Sequence, residues 1–156
     1  MQVQQAAVEV GRSAPILLVE DEGDQALLIQ QTLADADSPP EVQVVSSGEA
    51  AIDYLSGAGE FSDRHKYPFP FLVLLDMKMP GIGGFGVLRW LQQNPDVMEH
   101  LNVVILSSVT SSKEIEVAYE LGAVFYWSKA DSGKLQERVR LLRETWQGST
   151  GCADLH

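Results

Sequence analysis

Phe71-Leu72-Val73-Leu74-Leu75-Asp76-Met77-Lys78-Met79-Pro80-Gly81 is the stretch from which the fold is read. Its five apolar residues form an unbroken run, too short for a helix and without alternation. That pattern suits a parallel strand buried on both faces. Asp76 follows at once. An unpaired carboxylate is costly inside a core, but it is well placed for chemistry at the carboxyl edge of an open sheet. Three other apolar runs end the same way. Ile16-Leu17-Leu18-Val19 leads into Glu20, Asp21 and Glu22; Val103-Val104-Ile105-Leu106 leads into Ser107 and Ser108; Val124-Phe125-Tyr126-Trp127 leads through Ser128 to Lys129. Four parallel neighbours would therefore gather acids, a lone Asp, a hydroxyl and an amine along one edge.

Working outward, the chain alternates. Strands are expected at 15–19, about 41–45, 71–75, 102–107 and 123–127. Helices are expected near 24–35, 47–56, 84–94, 111–121 and 131–147. Asp24 would cap the first helix, with Ala26, Ile29 and Leu33 on its buried face, and Ser38-Pro39-Pro40 would end any continuation. Leu135, Val139, Leu142 and Trp146 make the apolar stripe of the last helix. Gly57 to Pro70 reads as one long loop. Five strand–helix alternations predict an α/β domain with a parallel sheet and helices on both faces, joined by right-handed crossovers. Residues 1–13 are expected to be a flexible arm, 14–147 the domain and 148–156 a flexible tail.

A chain of 156 residues, 45% of them apolar, can bury one core and is not disordered throughout. The net charge of −11 argues against nucleic acid or an anionic membrane as the main partner. The single cysteine, Cys152, excludes an intrachain disulfide and a thiol metal cluster. No stretch has transmembrane length or the layout of a secretion signal, so a cytoplasmic location is expected.

Loops that hold phosphate directly are Gly-rich; the loop after the first strand is acidic instead. Two carboxylates 4 Å apart repel by roughly 4 kcal/mol at an effective dielectric near 20. A hard divalent cation removes that repulsion, and carboxylates with a few waters suit Mg²⁺. A phosphoryl group would then bind through the metal. Carboxylates are also nucleophiles toward phosphorus, forming acyl phosphates. The metal, an ammonium and a hydroxyl neutralise the oxygens of the transferring group. Asp76, Lys129 and Ser107 supply those protein groups. Taken singly, each reads as a surface lysine, a turn serine or a solvated acid; their shared strand-end placement favours the functional reading.

These residues resemble the receiver domain of two-component response regulators. The likeness covers about 14–147. It rests on Ile16 to Asp21, Leu75 to Gly81, Ile105 to Ser108, Glu120-Leu121-Gly122-Ala123 and Tyr126 to Lys129. It implies a flavodoxin-like (βα)5 fold with strand order 2-1-3-4-5 and phosphoacceptance at Asp76 from a histidine kinase or phosphotransfer protein. It also implies Mg²⁺ held by Asp21, Asp76 and the main-chain carbonyl of Lys78, with Glu20 acting largely through water. Ser107 would be the switch hydroxyl, Lys129 the phosphoryl partner and Tyr126 the switch aromatic. The expected role is a stand-alone phosphorelay regulator that signals by protein docking rather than by enzymatic turnover. The long loop at 57–70 is similar to that of regulators paired with phytochrome-type kinases. A homodimer could use the face of the fourth helix, fifth strand and fifth helix.

The chain departs from the family twice. Where the family has a cis proline after the lysine, this chain has Ala130, and a cis bond there would cost about 3–4 kcal/mol. Lys78 adds a cation two residues beyond the phosphoacceptor. The other readings are weaker. Gly81-Ile82-Gly83-Gly84-Phe85-Gly86 matches G-x-G-x-x-G, but lies five residues past its strand and lacks the later acid of a dinucleotide site. Arg64-His65-Lys66 is read as a solvated loop in preference to a docking patch. An aspartyl-phosphate phosphohydrolase would want an acid just after Asp76, where Met77 and Lys78 stand. A phosphorylation-independent binding or dimerisation module is the remaining alternative.

Overall fold

The computed structural model describes residues 14–107, 111–123 and 125–154, with no side chain described at 107, 130–132 or 146–154. Five strands run in parallel: β1 (Ile16–Val19), β2 (Val42–Val45), β3 (Leu72–Leu75), β4 (Asn102–Ser107) and β5 (Phe125–Ser128). Their order in the sheet is β2-β1-β3-β4-β5, the expected 2-1-3-4-5. Register places Val19 beside Leu75 and Leu75 beside Ile105, so β1, β3 and β4 reach the carboxyl edge nearly level.

The helices are α1 (Gly23–Ala34), α2 (Gly48–Ser56), α3 (Gly83–Gln92), α4 (Ser112–Glu120) and α5 (Leu135–Asp154). Two cores form on the two faces of the sheet. Leu72 and Leu74 of β3 join Ala26, Ile29 and Leu33 of α1 and Leu135 and Val139 of α5. Val73 and Leu75 of the same strand join Val87, Leu88 and Leu91 of α3, Ala51 and Leu55 of α2 and Ala118 of α4. The unbroken apolar run of β3 is thus explained: each residue alternates to a face, and both faces are covered. Each such leucine contributes about 1.5–3 kcal/mol on burial.

Several boundaries move from the sequence expectation. Asp24 is not the cap of α1. Glu22 holds that position without a side-chain cap bond, and Asp24 sits in the first turn, where its charge suits the helix dipole. Ser47 and Ser111 do cap α2 and α4, accepting from the N–H groups of Ala50 and Glu114 at 3.0 and 3.1 Å. The fifth strand begins later than 123, because Ala123 still donates to the carbonyl of Ala118 at the end of α4. The last α-helix also begins later than expected, at Leu135. Lys129–Lys134 form a 3-10 turn first, as Asp131, Ser132 and Gly133 are weak α-formers. It runs to Asp154, past the boundary drawn at 147. Gly148 and Gly151 each cost about 1 kcal/mol in a helix interior but do not block one. The 1–13 segment and Trp146 fall outside the described residues and side chains. Among the described residues no helix is long and apolar enough to cross a membrane.

The 57–70 loop is tied down rather than open. It contains a 3-10 turn at Gly59–Ser62, and the rings of Tyr54 and Phe61 pack tilted at 5.1 Å while Tyr67 meets Tyr54 and Phe61 edge-on at 5.9 and 5.0 Å. The Tyr54 hydroxyl donates to the carbonyl of Pro68 at 2.8 Å. Arg64 corrects the solvated-loop reading. Its guanidinium donates to the carbonyls of Tyr54 (2.8 Å), Leu55 (3.0 Å) and Tyr67 (3.1 Å), binding the loop to the open end of α2. It also lies over the rings of Tyr54 and Phe69. Partial burial pulls its pKa down from the ordinary value. Only His65 and Lys66 of that triplet are exposed. Removing carbonyl partners at a helix end leaves orphan acceptors, so Arg64→Ala is expected to cost about 2–3 kcal/mol in urea unfolding with the slope unchanged.

Candidate functional site

The site is built where β1 and β3 end side by side. The N–H of Asp76 donates to the carbonyl of Val19 at 3.1 Å, and the N–H of Glu20 to the carbonyl of Val45 at 3.0 Å. Backbone pairing thus carries one residue past each strand and delivers Glu20 and Asp76 to the same edge. Both are buried, at 2% and 6% exposure, the only buried charged side chains among the described residues. Asp21 is exposed beside them. Oxygens of Glu20, Asp21 and Asp76 lie within 4.8 Å of one another.

The β3–α3 turn is shaped around Asp76. Its Oδ1 accepts the N–H of Lys78 at 3.1 Å, which fixes the carboxylate and draws the Lys78 backbone to the site. Gly84 explains part of the glycine run. A Cβ there would lie 2.8 Å from both the Asp76 carbonyl oxygen and the Met77 Cα, so the start of α3 packs on the backbone of Asp76 and Met77. Gly81 adopts φ +77, in the left-handed region, to turn the chain. The G-x-G-x-x-G pattern serves close packing and a turn.

From the other edge comes Lys129. Its Nζ stands 2.6 Å from Glu20 Oε1 and 3.6 Å from Asp76 Oδ2. No described peptide bond is cis, so Lys129–Ala130 is trans and the lysine still reaches the acids. Two buried carboxylates share one ammonium, with the exposed Asp21 carboxylate close to both acids. Burial raises the pKa of Glu20 above 4.5; the hydrogen bond from Lys129 opposes this and the neighbouring Asp76 adds to it. The excess negative charge and the all-oxygen donor set fit a hard divalent cation.

The remaining expected residues are placed less completely. Ser107 ends β4 opposite Ser128 of β5, but its side chain lies outside the described ones. Tyr126 is half-buried against the α2–α3–α4 core, whereas Trp127 is buried on the opposite face. Strand alternation sends the two rings apart, as expected. Lys78 has an exposed side chain.

Comparison with known proteins agrees with this geometry. The family model for the response regulator receiver domain matches residues 16–140. Response regulator Rcp1 of Synechocystis sp. is 32% identical over 132 residues, spanning 84% of this chain and 87% of that protein. Among solved structures, the phosphorylated cyanobacterial phytochrome response regulator RcpA superposes with a TM-score of 0.72 at 32% identity, covering 88% of this chain and 96% of its own. The Mn²⁺-bound form of response regulator Rcp1 superposes at 0.66 with 30% identity, covering 86% and 90%.

Proposed function

The chain belongs to the response regulator receiver family, and on that premise we propose that it accepts a phosphoryl group on Asp76 from a histidine kinase or phosphotransfer protein and signals by docking. The observation that carries the reading is the meeting of buried Asp76 with Glu20, Asp21 and Lys129 at one sheet edge. A carboxylate oxygen of Asp76 attacks phosphorus; the phosphorus–nitrogen bond of the donor phosphohistidine breaks, and its electron pair stays on the imidazole. Lys129 faces the charge gathering on the phosphoryl oxygens, and Lys78 N–H holds the attacking carboxylate in place. Asp21, Asp76 and the Lys78 carbonyl would hold Mg²⁺, with Glu20 contributing through water; when bound, the metal neutralises phosphoryl oxygens. Ser107 is assigned the switch hydroxyl and Tyr126 the switch aromatic. The chemistry is transfer to and loss from the protein itself, not turnover of a substrate.

The output surface is the face of α4, β5 and α5. Among the described residues these elements expose the large apolar side chains Tyr119 (46%), Phe125 (42%) and Leu141 (50%). Such a face suits a downstream protein or a second copy of the chain, and inward turning of Tyr126 would repack it.

Incubation with Mg²⁺ and a small phosphodonor, read by intact mass, tests the proposal. One added phosphoryl group, absent when Mg²⁺ is left out, is expected; no adduct would leave the phosphorylation-independent module. Lys78→Asn is expected to lose the phosphoryl group about three- to tenfold faster, since an exposed cation beside the phosphoryl oxygens opposes their departure and occupies the path of attacking water. Equal or slower loss, followed by mass after removing the donor, would rule out that role.

A further inference from the structure

The cations of this acidic chain are mostly engaged. Arg64 binds carbonyls, Arg138 lies over Trp127, Lys66 over Tyr67, Arg140 pairs with Glu137 and Glu144, and Arg143 donates to Ser38. Among the described residues, Lys78, Arg89, Lys113 and Lys134 have no ion pair, side-chain hydrogen bond or ring contact. The first three line the same open groove of ≈ 530 Å³ between α3 and α4. Phe85 and Val117 form its apolar part, and Glu114 is its one acid. Arg89 suits the last turn of α3, where a cation complements the helix dipole. Lys113 does not: it stands in the first turn of α4, against the dipole, a placement that helix stability does not account for.

We propose that this groove binds an acidic protein segment carrying an apolar residue, and that it does so preferentially before phosphorylation. Charge complementarity selects the occupant: three cations against one carboxylate, on a chain whose net charge is −11. A nucleic acid would extend past the groove onto the acidic remainder of the surface; a short segment stays within about a Debye length, ~10 Å at 0.1 M salt. Coupling comes through Lys78, whose backbone is bonded to Asp76. A phosphoryl group on Asp76 adds negative charge beside the groove and draws the Lys78 ammonium toward itself, so the acidic segment is released. By reciprocity, a bound segment holds Lys78 and disfavours phosphorylation to the same factor. The release rests on phosphorylation of Asp76; the groove's affinity in the unmodified protein does not.

The test uses the full chain and a fluorescein-labelled peptide of glutamates flanking one leucine, with a glutamine-for-glutamate control, read by anisotropy at about 0.1 M salt. The unmodified protein is expected to bind the acidic peptide and not the control. Arg89→Glu with Lys113→Glu should weaken binding at least tenfold while the small phosphodonor still labels the protein normally. Phosphorylation should weaken binding by about three- to tenfold. No binding, or equal binding by the double variant, would overturn the groove assignment. Binding that is indifferent to a confirmed phosphoryl adduct would overturn the coupling. Absence of any adduct would count against the phosphoacceptor reading and leave the unmodified-state binding result to stand on its own.

Discussion

Asp76→Asn is expected to lower phosphoryl incorporation by roughly 10³-fold or more, to below detection by intact mass, without unfolding the protein. The side chain keeps its shape, and its amide oxygen still accepts the N–H of Lys78, now at 3.1 Å from Oδ1. What disappears is the nucleophile and one of two buried negative charges. Glu20 and Asp76 share the single ammonium of Lys129, so removing one carboxylate relieves repulsion. Stability to urea should therefore be unchanged or up to about 1 kcal/mol higher. A variant that loses labelling because it is unfolded would show it in circular dichroism; one that keeps its label would place the phosphoryl group elsewhere.

Lys129→Met is expected to lose both stability and labelling, with metal restoring part of the first. The ammonium lies 2.6 Å from the buried Glu20 carboxylate, and removing one member of a buried pair typically costs about 3–5 kcal/mol. Burial already makes Glu20 hold its proton more readily than an ordinary glutamate, so protonation offsets part of that penalty. Mg²⁺ should stabilise this variant more than the parent in urea titrations, since it meets acids that no internal cation has neutralised. Incorporation from a small donor should fall by about 10²–10³-fold, the usual effect of removing one group that faces developing charge. A stability loss that ignores Mg²⁺, or none, would mean that Lys129 is not the counter-ion of this recess.

The architecture was legible because it depends on local pattern. Four apolar runs ending in chemical groups located the strands, and their common edge located Glu20, Asp21, Asp76 and Lys129. The trans bond before Ala130 was harder, since propensity favours it but says nothing about reach; the position of β5 is what brings Lys129 to the acids. Arg64 was misread because its partners lie 9, 10 and 3 residues away and include the open carbonyls of a helix end. A loop arginine at that distance gives no periodic signal. The cap of α1 was misplaced by two residues because a run of acids offers several candidates, and none bonds the helix as a cap. The cationic groove was not legible at all. Lys78, Arg89 and Lys113 become neighbours only when α3 and α4 pack on one face of the sheet.

The most direct measurement is borohydride trapping after incubation with Mg²⁺ and a small phosphodonor, followed by peptide mapping. Reduction of an aspartyl phosphate leaves homoserine at the modified position. Homoserine in place of Asp76, at that position alone and dependent on Mg²⁺, is the predicted result. Trapping at any other acid, Glu20 and Asp21 included, or no trapping under labelling conditions, would contradict the assignment of this strand end as the phosphoacceptor.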